Sequence, residues 1–95
     1  MNDPVLDKIL EIIKSTVKSG DIILFGSRAR GDHTEKSDYD IAIKGISEAE
    51  YARVIEQLDE NEVTLKKIDL LRYENLNVAY KTSVDKEGIV LYEQQ

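Results

Sequence analysis

The sequence predicts a small α/β or α+β domain in which helices flank a mixed β-sheet. Three features carry this prediction. Apolar residues recur at helical spacing near the N-terminus, two short apolar runs have the composition of strands, and a second helical pattern follows a capping sequence. With 95 residues, 41% of them hydrophobic, the chain is expected to form one domain, residues 1–95, around a single core.

The predicted elements follow the order α-β-β-α-β-α-β. Asp3 is a favourable N-cap and Pro4 suits the first turn of the first helix, which Gly20 can end. Ser47, followed three residues later by Glu50, forms a capping box at the start of the next long helix. The remaining predicted elements are strands at Asp21–Phe25, Tyr39–Lys44, Glu62–Leu71 and Ile89–Tyr92, a loop at Gly26–Ser37, and a helix at Asn75–Lys86 that Gly88 stops.

Charge and composition narrow the classes of function. Lys and Arg total 13 against 19 Asp and Glu, for a net charge of −6, which disfavours direct binding to long nucleic acids through their phosphates. A small anion such as a nucleotide, held by a few local groups and metal ions, remains compatible. The chain has no cysteine and one histidine, which argues against disulfides, thiolate metal sites and a histidine zinc site.

The N-terminal residues MNDPVLDKILEI lack the basic start and the unbroken apolar stretch of a signal peptide. No run approaches the roughly 20 apolar residues of a membrane span. The sequence therefore predicts a soluble, cytoplasmic protein with no membrane partner.

Asp38 and Asp40 lie at the start of the second predicted strand. Because successive side chains of a strand point to opposite faces, the two carboxylates should share one side while Tyr39 and Ile41 take the other. Two residues along a strand span about 7 Å, so both carboxylates could converge on one divalent ion or a pair, such as Mg²⁺. Taken alone, the same triplet also fits a polar turn with both acids in water.

Asp69 interrupts an apolar strand segment between Ile68 and Leu70. A buried carboxylate is costly unless it has a partner or a metal. If this strand neighbours the one that carries Asp38 and Asp40, the three acids can form one site. The alternative is that Asp69 lies on a solvent-facing side of its strand.

Gly26 and Ser27 directly follow the first predicted strand. Glycine allows the backbone to approach a ligand closely, consecutive N–H groups in a turn bind anions, and a serine hydroxyl can donate to a phosphate oxygen. Arg28 and Arg30 could neutralise phosphate charge. The spacing fits neither a P-loop nor the dinucleotide-binding glycine pattern.

Taken together, Gly26-Ser27, a ten-residue spacer, Asp38-X-Asp40 on one strand and Asp69 on a later strand resemble the nucleotidyltransferase superfamily of DNA polymerase β. The run GSRARG with SDYDIAI is similar to the smallest branch of that superfamily, the minimal nucleotidyltransferase (MNT) domains. The resemblance covers essentially the whole chain and implies the polymerase β-like nucleotidyltransferase fold.

The resemblance also implies roles for these residues. Gly26 and Ser27 would hold the triphosphate of ATP, the nucleotide donor. Asp38 and Asp40 would bind two Mg²⁺ ions, and Asp69 would bind one of them beside the incoming hydroxyl. AMP would then be transferred with release of pyrophosphate. The two loop arginines have no such fixed role in the family.

The resemblance further implies a partner. MNT domains are often antitoxins paired with a HEPN-type ribonuclease toxin, to which they add AMP on a tyrosine. The chain shows no further segment for gripping an acceptor, so a protein that presents its own hydroxyl is expected. Two alternatives stay open: a non-catalytic antitoxin that neutralises its partner by binding alone, and nucleotide transfer to a small molecule such as an aminoglycoside.

Overall fold

The computed structural model describes residues 3–64 and 67–93, which form four helices and four strands. The elements are α1 (Pro4–Thr16), β1 (Asp21–Phe25), α2 (Ser27–Arg30), β2 (Tyr39–Lys44), α3 (Glu48–Asn61), β3 (Ile68–Arg72), a 3₁₀ turn (Tyr73–Asn75), α4 (Val78–Glu87) and β4 (Ile89–Tyr92). The predicted fold class is confirmed. Within the described ranges, no helix has the length and apolar character needed to cross a membrane.

The four strands form one mixed sheet in the order β3-β2-β1-β4. β1 is antiparallel to both β2 and β4, whereas β2 and β3 are parallel and α3 forms the crossover between them. The ends where β2 and β3 begin therefore lie at the same edge of the sheet as the end of β1. Residues from three separate chain segments meet at that edge.

The two faces of the sheet are covered unequally. α1 and α3 cover one face and enclose the larger core, in which Leu24, Ile41 and Ile43 are completely buried. The other face is covered by α4, with a smaller cluster that includes Phe25 and Ala42. Because side chains of β2 alternate between the faces, Asp40 points to the side of α4, as Ala42 does.

The start of α1 is as predicted. The Asp3 carboxylate accepts two backbone N–H groups of the first turn, at 3.0 and 3.2 Å. The helix ends at Thr16, earlier than the predicted Gly20. The Thr16 hydroxyl donates to the carbonyl of Ile12 at 2.7 Å, and Val17 is already extended.

The predicted loop contains a single helical turn, α2. The backbone N–H groups of Ala29 and Arg30 both donate to the carbonyl of Gly26 at 3.1 Å, and Gly31 ends the turn with φ 87°. A turn of four residues is too short to produce a hydrophobic period, which is why the sequence did not indicate it.

The third strand is shorter than predicted. Helix α3 continues to Asn61 and ends at Glu62 in a left-handed conformation, with φ 44°. The strand begins at Ile68 and not at Glu62, and it extends one residue past the predicted end to Arg72. The predicted strand was wrong at residues 62–64 and 67, because α3 continues up to this range and Glu62 serves as its C-cap; residues 65–66 lie outside the described residues.

Two caps fix the starts of the later helices. Ser47 and Glu50 exchange the two hydrogen bonds of a capping box, at 3.0 and 3.1 Å, as predicted. The side chain of Asn77 accepts the N–H three residues along at 2.9 Å. As a result α4 begins at Val78, later than the predicted Asn75, which lies in the 3₁₀ turn.

Candidate active site

The parallel pairing of β2 with β3 places Asp40 directly beside Asp69. The two carboxyl groups are in hydrogen-bonding contact, on the side of the sheet that faces α4. The condition stated for a common site, that the strands carrying these acids be neighbours, is therefore met. Asp69 is only half-buried, with 36% of its side chain exposed, so it contacts Asp40 and solvent together.

Asp38 lies one residue before β2 and adds its negative charge to this pair. The pKa of Asp40 is raised, first by burial of its carboxyl group, then by the charge and hydrogen bond of Asp69, and then by the charge of Asp38. The Lys67 ammonium acts in the opposite direction. Three acids are thus held near one another with incomplete compensation of their charge.

Gly26 lies against the carboxylate of Asp40. Phe25 and Asp40 are cross-strand partners, so the residue after Phe25 passes directly over the acid. A Cβ atom at position 26 would overlap the Asp40 carboxylate. The backbone of Gly26, with φ 74° and ψ −156°, also lies in a region that is essentially restricted to glycine. Both observations explain why glycine occupies this position.

Ser27 begins α2 immediately beyond this contact. The first N–H groups of a helical turn have no carbonyl partner within the helix, so those of Ser27 and its neighbour can donate outside it. The Ser27 side chain is half-buried. The Gly26-Ser27 turn thus lies next to the paired carboxylates, and phosphate binding by it stays a prediction.

Lys67 is a member of the site that the sequence did not reveal. Its ammonium lies 3.4 Å from a carboxylate oxygen of Asp69 and is largely exposed. Lys67 lies one residue before β3 and two residues before Asp69, and in extended chain this spacing places two side chains on the same side; it was the available signal. The lysine partly balances the acidic cluster.

Arg28 has a different environment from the one predicted for a phosphate ligand. Its side chain is buried, with 8% exposed, although it belongs to a surface turn. The guanidinium donates to backbone carbonyls of residues 34–37 and lies over the ring of Tyr39. These contacts favour a structural role over the predicted contact with phosphate.

Arg30 is exposed and forms two ion pairs. Its Nε and Nη1 atoms lie 3.2 Å from carboxylate oxygens of Asp32 and Glu87, respectively. The second pair connects α2 to the end of α4. Phosphate neutralisation by Arg30 stays a prediction, and a ligand would have to compete with these two acids.

The acidic cluster has the donor chemistry of a Mg²⁺ site. Carboxylate oxygens are the ligands that hard divalent cations prefer, and a cation would relieve the repulsion between Asp40 and Asp69. Among the described residues, however, no three acidic or histidine side chains converge closely enough to surround one ion. The Asp40–Asp69 pair fits a divalent ion, and Asp38 would have to turn toward it.

Comparison with known proteins agrees with this geometry. Residues 7–95 match the family described as polymerase beta, nucleotidyltransferase. The chain belongs to this nucleotidyltransferase family. The paired acids beside a Gly-Ser turn are therefore the candidate active site of a nucleotidyltransferase domain.

Two relatives come from Methanocaldococcus jannaschii. "Putative protein adenylyltransferase MJ1379" is 35% identical over 91 residues, which covers 90% of this nucleotidyltransferase and 89% of the relative. A second protein with the same description, MJ0604, is 37% identical over 83 residues, covering 75% of this chain and 76% of its own length.

Solved structures share the fold. A toxin–antitoxin complex with AMP-PNP contains a chain with a TM-score of 0.72 and 22% identity, covering 94% of this nucleotidyltransferase and 73% of that chain. A complex of tri-AMPylated Shewanella oneidensis HEPN toxin with MNT antitoxin gives a TM-score of 0.65 and 18% identity, with coverages of 96% and 71%. The fold expected from the resemblance to MNT domains is confirmed.

Proposed function

We propose that this protein is an antitoxin that transfers AMP from ATP to a tyrosine hydroxyl on a HEPN-type toxin. One observation carries the proposal: the Asp40–Asp69 carboxyl pair lies against Gly26, next to Ser27. A carboxyl pair whose chemistry suits a cation and a turn whose N–H groups suit a phosphate are thereby joined at one end of the sheet.

The reaction would proceed by attack of the phenolic oxygen on the α-phosphorus of ATP. A new P–O bond to tyrosine forms, the bond from the α-phosphorus to the bridging oxygen breaks, and pyrophosphate leaves. The phenolic proton passes to water. Bound divalent ions would lower the pKa of the attacking hydroxyl and balance the charge of the leaving pyrophosphate.

The residues of the site would divide this work. Ser27 and the N–H groups that open α2 would hold the triphosphate. Asp40 would hold two ions together with Asp38, and Asp69 would hold one of them beside the incoming hydroxyl. The raised pKa of Asp40 supports this arrangement, because a cation would compensate the charge that burial and the neighbouring acids disfavour.

A protein acceptor is supported by the relatives. The M. jannaschii proteins bear the name of protein adenylyltransferases and match this chain over nearly the same length in the case of MJ1379. Chains with this fold also occur in toxin–antitoxin complexes, one of them with a tri-AMPylated HEPN toxin. A net charge of −6 further suits a partner whose RNA-binding face is basic.

The test is to produce the chain with a HEPN-type partner that co-purifies with it, and to weigh the intact partner after incubation with ATP and Mg²⁺. One or more AMP additions are expected with the wild type and none with the double variant Asp38→Asn/Asp40→Asn. Replacing the modified tyrosine of the partner by phenylalanine should abolish the addition.

Neutralisation by binding alone is the second candidate, favoured by the observation that no three described acids surround a single ion. It predicts that the partner loses ribonuclease activity without a change in mass. The double variant would then protect cells as well as the wild type does.

A further inference from the structure

We propose that Arg28 is a positioning residue for the metal-binding acids. Its guanidinium would fix the chain segment that delivers Asp38, so that Asp38 can join Asp40 at a bound ion. This inference rests on the metal role proposed for Asp38. It differs from the phosphate contact predicted from the sequence.

The contacts of Arg28 converge on one short turn, residues 34–37. Its Nε and Nη2 atoms lie 3.2 and 3.0 Å from the carbonyl oxygen of Ser37. Nη2 also lies 3.4 Å from the carbonyl oxygens of Thr34 and Glu35. The fork of one guanidinium therefore binds three carbonyls of the same turn, a geometry that suits arginine and not lysine.

The turn is also closed by hydrogen bonds between its own residues. The N–H of Ser37 donates to the Thr34 carbonyl at 3.2 Å, and the N–H of Thr34 donates to the Ser37 hydroxyl at 2.9 Å. Arg28 therefore attaches an internally hydrogen-bonded turn to the rest of the domain. Because Ser37 immediately precedes Asp38, the position of the turn determines the position of the Asp38 backbone.

The other side of Arg28 contacts Tyr39, which follows Asp38 in the chain, and Asp3. The guanidinium carbon lies 3.9 Å from the ring centre of Tyr39, which is almost fully buried. Nη1 lies 3.7 Å from the Asp3 carboxylate, and the Tyr39 hydroxyl donates to the same carboxylate at 2.9 Å. Asp38 is consequently held between two neighbours, Ser37 and Tyr39, that both contact Arg28.

Little else supports the turn. Residues 31–36 are exposed, and a cleft of about 600 Å³ separates the turn from the start of α1 and from Tyr39. Without apolar packing beneath it, the turn depends on polar contacts for its position. The buried guanidinium provides four of those contacts.

Substitution of Arg28 by lysine distinguishes a positioning role of Arg28 from a role of its charge alone. Arg28→Lys retains the positive charge, and with it the long-range attraction to a phosphate. The ammonium of lysine, however, cannot bind three carbonyls and stack on a ring at once. A residue that acts through geometry is therefore damaged by this substitution, whereas a residue that acts through charge is largely preserved.

The experiment measures Mn²⁺ binding by electron paramagnetic resonance in the presence of α,β-methylene-ATP, which cannot transfer AMP. Arg28→Lys should weaken Mn²⁺ binding by about 10- to 100-fold, the usual cost of losing a residue that orients a metal ligand. In an Asp38→Asn background, Arg28→Lys should not weaken Mn²⁺ binding further, because the carboxylate that Arg28 positions is already absent. Arg53→Lys, on the exposed surface of α3, is the matched control and should leave binding unchanged.

The result that overturns the inference is an equal loss in both backgrounds, or no loss in either, since both outcomes mean that Arg28 does not act through Asp38. Amide hydrogen exchange of a peptide covering residues 34–38 provides a readout without metal. Arg28→Lys should accelerate exchange there and leave α3 unchanged; unchanged exchange at residues 34–38 contradicts the inference.

The two measurements also separate this inference from the proposed function. If the wild type binds no Mn²⁺, the proposed metal site fails, and the exchange measurement still decides whether Arg28 holds the turn. If Arg28→Lys does not fold, Asp3→Asn removes the ion pair on the opposite side of the guanidinium and should produce the same accelerated exchange to a smaller extent. Slower or unchanged exchange in that variant counts against the inference.

Discussion

Asp40 and Asp69 occupy directly opposed positions on two parallel strands, and their carboxyl groups contact each other. In the folded protein, this arrangement disfavours the ionised form of the Asp40 carboxyl group unless a cation is present. The domain thus carries an electrostatic cost at its candidate active site, and this cost can be measured.

We expect Asp40→Asn to raise the Tm of the metal-free protein at pH 7 while abolishing AMP transfer. The folded-state pKa of Asp40 lies above its unfolded value, through burial and then through Asp69. The folded state therefore loses stability as the pH rises from the unfolded pKa of Asp40 through its folded pKa. The amide removes the cost, since it carries no charge.

Thermal denaturation at pH 7 in EDTA checks this expectation. Asp59→Asn, on the exposed surface of α3, removes one acid away from the cluster and should change the Tm little. Added Mg²⁺ should stabilise the wild type but not Asp40→Asn. A lower Tm for Asp40→Asn than for the wild type in EDTA would show that the acid pair is not strained.

Gly26→Ala should destabilise the fold more than Gly31→Ala does. Both glycines have positive φ angles, and a side chain there costs roughly 1–3 kcal/mol. A Cβ at Gly31 meets no atom within 4 Å, whereas one at Gly26 overlaps the Asp40 carboxylate. The difference in the free energy of unfolding between the two variants thus measures the effect of the contact with Asp40.

Urea denaturation gives both free energies of unfolding. In the double variant Gly26→Ala/Asp40→Ala the overlap is absent, so the cost of Gly26→Ala should be smaller there than in the wild type. An identical cost in both backgrounds would mean that Gly26 and Asp40 do not touch.

Ser27→Ala should weaken ATP binding about tenfold or more and leave the Tm nearly unchanged. A hydrogen bond to a charged phosphate is worth about 1.5–3 kcal/mol, whereas the Ser27 hydroxyl caps no helix in the folded protein. Calorimetric titration with ATP and Mg²⁺ measures the change. Ser19→Ala, exposed between α1 and β1, is the control, and equal affinity of both variants for ATP would place the phosphate site elsewhere.

The Asp3 carboxylate should contribute stability that is lost in acid. Burial raises its pKa, but the hydrogen bond from Tyr39, the N–H groups of Leu6 and Val5 and the charge of Arg28 together lower it. Because the folded pKa is below the unfolded one, this stability is present above the unfolded value and disappears as the pH falls through the folded value.

Asp3→Asn keeps a good helix cap but removes the charge. The variant should therefore be less stable than the wild type at pH 7, and the two should converge as the pH falls below the folded pKa of Asp3. Denaturation with urea between pH 7 and pH 2 follows the difference. A difference in the free energy of unfolding that does not change with pH would show that the Asp3 charge does not contribute to stability.

Much of the local structure was determined by the sequence alone. The cap at Asp3, the capping box of Ser47 and Glu50, and the strands β1, β2 and β4 lie where the sequence predicts them. These features depend on neighbouring residues and on the alternation of side chains along a strand. The same alternation correctly assigned Tyr39 to the core and Asp40 to the opposite face.

The tertiary structure decided which distant residues meet. The parallel register that places Asp69 beside Asp40, and the close approach of Gly26 to that carboxylate, arise from pairing between strands far apart in the chain. Arg28 carries no signal of burial in its own sequence, because its partners, the turn of residues 34–37, Tyr39 and Asp3, converge only when α1, α2 and β2 pack together. Local sequence fixes side-chain direction, whereas long-range packing fixes distance, and the chemistry of this site depends on distance.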